Sequence, residues 1–171
     1  MQEITKTVAQ SKVQQLQVVM PGHINTLGNL FGGQLLYWID LVAGLVAFRH
    51  AGSHCTTASF DRADFLRPVY AKDVLVIEGR MVYVGNSSME IRVDTWIERV
   101  DAVERVCELA NRAYVTYVSI DEMGRPRRAP RLDLVSDEEW AEWRAGKERK
   151  KAREELRAKR SDISGGPSKF F

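Results

Sequence analysis

The residue of greatest chemical interest is Asp40, a lone carboxylate inside a long apolar segment. The rest of residues 35–48 are aliphatic, aromatic or glycine. Burial of an unpaired charge is costly, so this carboxylate must be paired, protonated or exposed to a cavity. It can act as a general base or a nucleophile, or it can pair with an arginine such as Arg62 or Arg67. The composition of the segment leaves both interpretations open.

Two features that precede Asp40 in the chain could stabilise a developing negative charge. Asn25 lies in a Gly-containing loop, where asparagine commonly forms a turn, although its amide can also donate to an anionic oxygen. Phe31, Gly32 and Gly33 follow, and a Gly-Gly pair at a helix start lets backbone N–H groups approach an oxygen or a phosphate of a ligand. Neither feature is specific by itself.

A helix is needed to position Asp40. Apolar side chains occupy nearly every side of a helix over residues 32–51, which predicts that protein surrounds this helix. Gly44 within it costs about 1 kcal/mol relative to alanine, which indicates a close approach by another backbone. Gly52 is expected to end the helix.

Strands are predicted on both sides of this helix. A first strand over residues 13–20 is stopped by Pro21-Gly22. After the helix the apolar pattern has a period of two, which predicts strands over residues 56–65, 74–84, 88–99 and 106–120. Their succession predicts an antiparallel meander with one face against the core. The fold class is therefore α+β, with a sheet wrapped around one buried helix.

The composition changes at Ser136, which divides the chain into residues 1–135 and a C-terminal extension, residues 136–171. Ser136 followed by three acidic residues is typical of a helix N-terminus. Trp140 and Trp143 are expected to anchor the first turn on the body of the protein. Residues 147–160 are almost wholly charged, which predicts a solvated helix, and residues 161–171 are expected to be disordered.

Composition and charge exclude several classes of protein. The 171 residues are 44% hydrophobic with a formal net charge of +2, so one folded core is expected and a nucleic-acid-binding surface is not. Cys55 and Cys107 lack a C-x-x-C spacing, which predicts no metal site and a reduced, cytoplasmic setting. No apolar run reaches the roughly 20 residues that cross a bilayer. We expect neither a signal peptide nor a membrane partner.

Four collinear motifs carry a resemblance to a known family. They cover residues 13–130 approximately and read NTLGNLFGG at 25–33 with WID at 38–40, DFLRPV at 64–69, VGNSSME at 84–90, and YVSID at 117–121 with GRP at 124–126. This arrangement resembles the hotdog acyl-CoA hydrolases, the group that includes the short YciA-type thioesterases. The C-terminal extension lies outside the resemblance.

The resemblance implies a single hotdog domain in which a curved sheet wraps a central helix. It implies hydrolysis of acyl-CoA to a fatty acid and free CoA, with no cofactor, since CoA is part of the substrate. Two protomers are expected to pair edge to edge, with Asn25 from one and Asp40 from the other in each active site. Asp40 would be the base or the nucleophile, and Asn25 with a helix-terminal N–H would stabilise the oxyanion. Dimers are expected to assemble further as a dimer of dimers or a trimer of dimers.

The resemblance also implies other substrate contacts. The family tends to contact CoA at the positions of Gly85, Asn86, Ser87 and Ser88, although these residues can equally form a tight turn between strands. A hydroxyl from Thr57 or Ser59 could position the attacking water. Phe31, Gly32 and Gly33 would lie next to the thioester.

Two other functions share the same architecture. An enoyl-CoA hydratase uses the hotdog fold but normally pairs its aspartate with a histidine, and only His23 is close to Asn25 in the chain. An acyl-CoA-binding regulator would carry a DNA-binding domain before the hotdog domain. Fewer than about 20 residues precede the first predicted strand, too few for such a domain.

Overall fold

A five-stranded antiparallel sheet and one long helix form the body of the protein, whose computed structural model describes residues 4–100 and 105–164. The helix, α2, spans Gly32–Ala51, as predicted. The strands are β2 (Val13–Val18), β3 (Cys55–Phe65), β4 (Val74–Val84), β5 (Ser88–Val100) and β6 (Arg105–Ser119). They lie in the order β2-β4-β5-β6-β3. The α+β class and the wrapping of the sheet around the helix are therefore confirmed.

The predicted succession of strands is wrong at one point. β4, β5 and β6 form a meander, but β3 pairs with β6 at the far edge of the sheet and not with β4. The segment between β3 and β4 carries the chain across to β4, which lies next to the opposite edge strand, β2. Its backbone is held there by hydrogen bonds, since Leu30 donates to Val69 O at 2.7 Å and Val19 donates to Asp73 O at 2.9 Å. The period of the apolar residues predicts where strands form but not which strands pair.

Only one face of α2 is covered in the protomer. The covered face contains Leu35, Trp38, Ile39, Val42, Ala43, Val46, Ala47 and His50. It lies close to the sheet at Gly79 of β4, where a Cβ would come within 2.8 Å of Val42. The opposite face leaves Tyr37, Leu41, Leu45 and Phe48 between 43% and 58% exposed. The expectation that protein surrounds this helix is therefore wrong for a single protomer.

A small second sheet, absent from the predictions, closes one end of the protein. Its two strands, β1 (Thr5–Thr7) and β7 (Arg131–Asp133), pair in parallel. A one-turn helix, α1 (Val8–Ser11), follows β1, and a 3₁₀ turn covers Pro21–His23. The buried His50 joins this end to α2, because its Nε2 donates to Pro130 O at 2.9 Å. Burial lowers the pKa of His50 and keeps the ring neutral.

The C-terminal helix, α3, spans Asp137–Ser164 and begins as predicted. Ser136 Oγ accepts the N–H of Glu139 at 3.2 Å, which satisfies one of the free donors of the first turn. Trp143 packs on Tyr83 of β4 with 5.5 Å between ring centroids, and Trp140 contacts Trp143. The tryptophan anchor is thus confirmed for Trp143, while Trp140 remains 46% exposed.

The prediction of a solvated charged helix is wrong for one face of α3. Arg149 and Arg153 reach the outer face of the sheet, where Glu90 of β5 is fully buried. Arg149 binds Glu90 Oε2 at 2.7 Å, and Arg153 binds Glu90 Oε1 at 2.8 Å and Asp61 at 2.6 Å. Residues 161–164, predicted to be disordered, continue the helix. The remainder of the predicted disordered tail lies outside the described residues.

Candidate active site

Asp40 lies half-buried on α2 and is held by two hydroxyl groups. Thr57 on β3 donates from Oγ1 to Asp40 Oδ1 at 3.0 Å, and Tyr117 on β6 donates from its phenol to the same oxygen at 2.6 Å. The other oxygen, Oδ2, accepts no hydrogen bond from the described residues. Arg62 pairs instead with Asp64 at 2.6 Å, so the alternative in which it neutralises Asp40 is wrong.

Tyr117 is the site residue that the sequence did not single out. It is 5% exposed and lies on the core-facing side of β6, as do Ala113 and Val115. A buried tyrosine needs a partner for its hydroxyl group, so a tyrosine on the core-facing side of a predicted strand was the available signal. Burial, reinforced by the Asp40 carboxylate, raises the pKa of the Tyr117 phenol well above its usual range, so the group remains a proton donor.

Gly44, four residues after Asp40 on the same face of α2, makes room for this phenol. A Cβ at Gly44 would lie 3.1 Å from the Tyr117 hydroxyl oxygen, closer than side chains normally pack. The sequence predicted a close approach at this glycine by another backbone. The approach is real, but it is made by a side chain.

Asn25 forms a compact loop that fixes the direction of its amide. Its Oδ1 accepts the N–H groups of Leu27 at 2.9 Å and Asn29 at 3.2 Å, and an isolated bridge between Ile24 and Leu30 closes the loop. The turn-forming role is therefore confirmed. Because Oδ1 is occupied by these donors, the Nδ2 group is the end of the amide that remains available, with no partner among the described residues.

A cleft of about 450 Å³ lies beside Asn25. It is lined by Asn25, Asn29, Leu30, Gly32, Leu35, Phe65, Leu66, Arg67, Pro68 and Val69. Gly32 is the first residue of α2, so the positive end of the helix faces the same space as the asparagine. Phe31 precedes the helix and is 58% exposed. Asp40 does not line this cleft.

Two other predicted positions are separated by a bulge in β3. The register of β3 on β6 shifts between Thr57 and Ser59, and a bulge of this kind re-aims the side chains that follow it. Thr57 points to Asp40, whereas Ser59 donates to Asp61 at 2.9 Å. Of the two hydroxyl groups predicted to position the attacking water, only that of Thr57 contacts Asp40.

Residues 85–88 form the tight turn that joins β4 and β5. Gly85 N–H donates to Ser88 O at 2.8 Å, Ser119 N–H donates to Ser87 O, and Ala129 N–H donates to Asn86 O, both at 2.9 Å. The structural interpretation of this segment is confirmed, and its contact with CoA stays a prediction.

Other chemistries find no support in the described part of the chain. It holds no cluster of three or more His, Cys, Asp or Glu side chains that could bind a metal ion. Burial raises the pKa of the Cys55 thiol to about 11, which disfavours the reactive thiolate. His23 Nδ1 accepts the N–H of Met20 and its ring packs on Trp38, so it is not paired with Asp40. None of the described helices combines the length and apolarity required to span a bilayer.

The fold and this site define a class of protein, the hotdog hydrolases, in which a curved sheet wraps a helix that carries a carboxylate. Comparisons with known proteins agree. Residues 27–103 match the family described as the thioesterase superfamily. An acyl-CoA thioester hydrolase from Bacillus subtilis, itself uncharacterized, is 38% identical over 135 residues, which cover 79% of this chain and 77% of the relative.

Solved structures give the same answer. An acyl-CoA hydrolase from Staphylococcus aureus, solved with butyryl-CoA and CoA, superposes with a TM-score of 0.86 at 31% identity, covering 93% of this chain and 96% of that one. A hexameric acyl-CoA thioesterase superposes with a TM-score of 0.84 at 33% identity, over 91% and 98% of the two chains. The chain belongs to the acyl-CoA thioester hydrolases of the thioesterase superfamily.

Proposed function

We propose that this protein hydrolyses acyl-CoA thioesters and that Asp40 drives the reaction. The observation that supports this most directly is the pairing of the Asp40 carboxylate. Two neutral hydroxyl groups donate to Oδ1, and no described residue donates to Oδ2. The S. aureus hydrolase has been crystallised as alanine variants of an aspartate, a threonine and an asparagine. These are the residue types of Asp40, Thr57 and Asn25.

Oδ2 is the reacting atom in either form of the mechanism. As a general base, it takes a proton from water while the water oxygen adds to the thioester carbonyl carbon. The oxyanion then collapses, the carbon–sulfur bond breaks, and the proton passes to the CoA thiolate. As a nucleophile, Oδ2 attacks the carbonyl carbon, CoA leaves, and water hydrolyses the mixed anhydride. Both forms require an oxygen that no cation holds.

The oxyanion is stabilised from the cleft beside Asn25. Asn25 Nδ2 supplies one donor, and the first N–H groups of α2 at Gly32 and Gly33 supply others, strengthened by the helix dipole. Removal of one such donor typically costs about 10²-fold to 10³-fold in kcat. Leu35 and Phe65 give this cleft part of its apolar lining.

The complete site requires two protomers, with Asn25 from one and Asp40 from the other. Three features support this arrangement: Asp40 does not line the Asn25 cleft, one face of α2 is apolar and exposed, and β3 forms an edge of the sheet. Several solved relatives are hexameric. A trimer of dimers or a dimer of dimers would satisfy the pairing, and sedimentation equilibrium distinguishes them.

CoA is expected to lie along the turn that joins β4 and β5. The turn offers backbone groups and the hydroxyls of Ser87 and Ser88. Lys150 of α3 lies beside it, since a Cβ at Gly85 would come within 3.0 Å of the lysine Nζ. An ammonium group next to a polar turn is suited to a CoA phosphate.

Mixing of two inactive variants tests the proposal. Asp40→Ala and Asn25→Ala are each prepared, shown to be inactive by thiol release with acyl-CoA substrates from acetyl to palmitoyl, and allowed to exchange subunits. A heterodimer then contains one site with both lesions and one intact site. Random pairing should restore about a quarter of the wild-type activity if the two sites are independent. No recovery after exchange verified by mass spectrometry would reject the shared site.

The expected absence of a cofactor is tested in the same assay. Hydrolysis should be undiminished after dialysis against EDTA, because Asp40 and Asn25 supply the chemistry without a metal. The cytoplasmic location stays a prediction, which cell fractionation can test.

A further inference from the structure

We propose that Tyr117 is a positioning residue that turns the Asp40 carboxylate so that Oδ2 faces the thioester. The proposal rests on the hydrolytic function of Asp40 given above and adds a residue to it. Tyr117 lies on β6, 77 positions from Asp40 in the sequence, and it reaches the carboxylate through the core of the domain.

One oxygen of the Asp40 carboxylate accepts two hydrogen bonds, and the other accepts none from the described residues. Tyr117 and Thr57 both donate to Oδ1, at 2.6 and 3.0 Å, and the Tyr117 hydroxyl oxygen also lies 2.9 Å from the main-chain oxygen of Asp40. Two donors from two different strands determine the side-chain torsions of Asp40. A carboxylate held only by Thr57 could rotate, so either of its oxygens could face Thr57 or the thioester.

The type of donor also matters. An arginine at this position would neutralise the carboxylate and weaken it as a base or nucleophile. A phenol orients the group by a hydrogen bond and leaves its negative charge in place. Since burial and Asp40 itself keep the phenol protonated, this donor persists across the range in which the enzyme can work.

Gly44 is the second observation that supports the proposal. The phenol reaches Asp40 only because position 44 has no side chain, and alanine there would place Cβ 3.1 Å from the hydroxyl oxygen. Alanine stabilises a helix relative to glycine, so helix propensity gives no advantage to glycine at this site. The space that the Tyr117 hydroxyl needs explains why residue 44 is a glycine.

The primary test is Tyr117→Phe, which deletes one oxygen and keeps the ring in the core. We expect kcat to fall by on the order of 10-fold to 100-fold, as loss of a hydrogen bond to a charged group implies, with KM within about twofold of wild type. Tyr114→Phe is the matched control, because Tyr114 lies on the same strand and its ring stacks under Arg149 on the outer face, 4.0 Å from the guanidinium carbon. Its kcat should equal that of wild type. An unchanged kcat in Tyr117→Phe, or an effect confined to KM, would overturn the proposal.

Gly44→Ala provides a test that does not alter Tyr117. The added methyl group should push the phenol away from Oδ1, so kcat should fall several-fold while the denaturation midpoint stays equal or rises. In the Tyr117→Phe background the same substitution should have no further effect on kcat, because no hydroxyl remains to be displaced. Independent, multiplicative effects of the two substitutions would contradict the proposed role.

Asp40→Asn, assayed in parallel, separates failure of this inference from failure of the function. If Asp40→Asn is inactive and Tyr117→Phe is fully active, Tyr117 has no positioning role but Asp40 remains the reacting group. If Asp40→Asn retains full activity, the function proposed for Asp40 is wrong, and the positioning role of Tyr117 is overturned with it.

Discussion

Two carboxylates on opposite sides of the sheet differ in their hydrogen-bond partners. Glu90, on the outer face, is fully buried and has an arginine on each oxygen, Arg149 on Oε2 and Arg153 on Oε1. Asp40, on the helix packed against the inner face, is half-buried and has two hydroxyl donors on one oxygen, while its second oxygen has no partner in the described part of the chain. Both groups lie in the same domain, but of the two only Glu90 is paired with cations in the described part of the chain.

This difference separates a structural carboxylate from the one that we propose to be reactive. Two guanidinium groups occupy both oxygens of Glu90, so neither oxygen is free to bind a water molecule or attack a carbonyl. The hydroxyl donors of Asp40 orient the group and leave its charge uncompensated. A buried charge without a cationic partner is costly, and in an enzyme that cost is maintained for function.

The largest effect is expected from Asp40→Asn, which removes the charge and keeps the shape. The turnover number should fall about 10³-fold or more, in the range that loss of a general acid or base typically produces. Affinity for CoA, measured by calorimetry, should be nearly unchanged because the proposed CoA contacts involve other residues. Asn at this position with substantial turnover would remove the distinction between the two carboxylates.

The next largest effect is expected from Asn25→Asp. The new side chain retains an acceptor oxygen for the N–H groups of Leu27 and Asn29, so the loop should keep its conformation. It lacks the Nδ2 donor and places a negative charge by the oxyanion, so kcat should fall by at least about 10²-fold. Circular dichroism and the melting temperature should match those of wild type. Full activity in this variant would mean that Asn25 serves the turn alone.

Glu90→Gln should affect stability and not catalysis. It leaves Arg149 and Arg153 without their buried anion, which we expect to lower the free energy of unfolding by about 3 kcal/mol, the lower end of the range for a broken buried ion pair, since both arginines reach water. Urea denaturation measures the loss. At temperatures where the variant is folded, kcat should remain at the wild-type value. A large loss of kcat in folded Glu90→Gln would contradict the separation of the two faces.

A smaller loss of stability is expected when residues 147–171 are removed. The deletion removes both arginines, but it also exposes Glu90 and Asp61 to water, which solvates them. We expect a loss of about 2 kcal/mol on the scale of charged hydrogen bonds. The kcat per folded molecule should be largely intact, and KM for acyl-CoA should rise because the deletion also removes Lys150. Deletion of residues 165–171 is the control, because it removes none of the described ion pairs. Equal melting temperatures for the two deletions would show that the arginine contacts of α3 do not stabilise the fold.

The sequence alone determined the local structure of this protein. The helix bounds agree with the prediction at both ends, and each major strand agrees to within one or two residues, because side-chain period and Gly or Pro breaks act over a few positions. The same locality made Asp40 conspicuous. A carboxylate in an apolar helix is unusual whatever surrounds it. The loop motif made Asn25 a second candidate.

The tertiary structure decided which groups meet. Periodicity assigned Tyr117 to a strand, but only the position of β6 under α2 brings its phenol to Asp40. The run in α3 was predicted to be solvated because nearly all of its residues are charged, yet Arg149 and Arg153 contact Glu90, 59 and 63 positions away in the sequence. The order of the strands was equally hidden. Period specifies which face of an element is buried, whereas pairing depends on contacts between distant parts of the chain that only the folded topology creates.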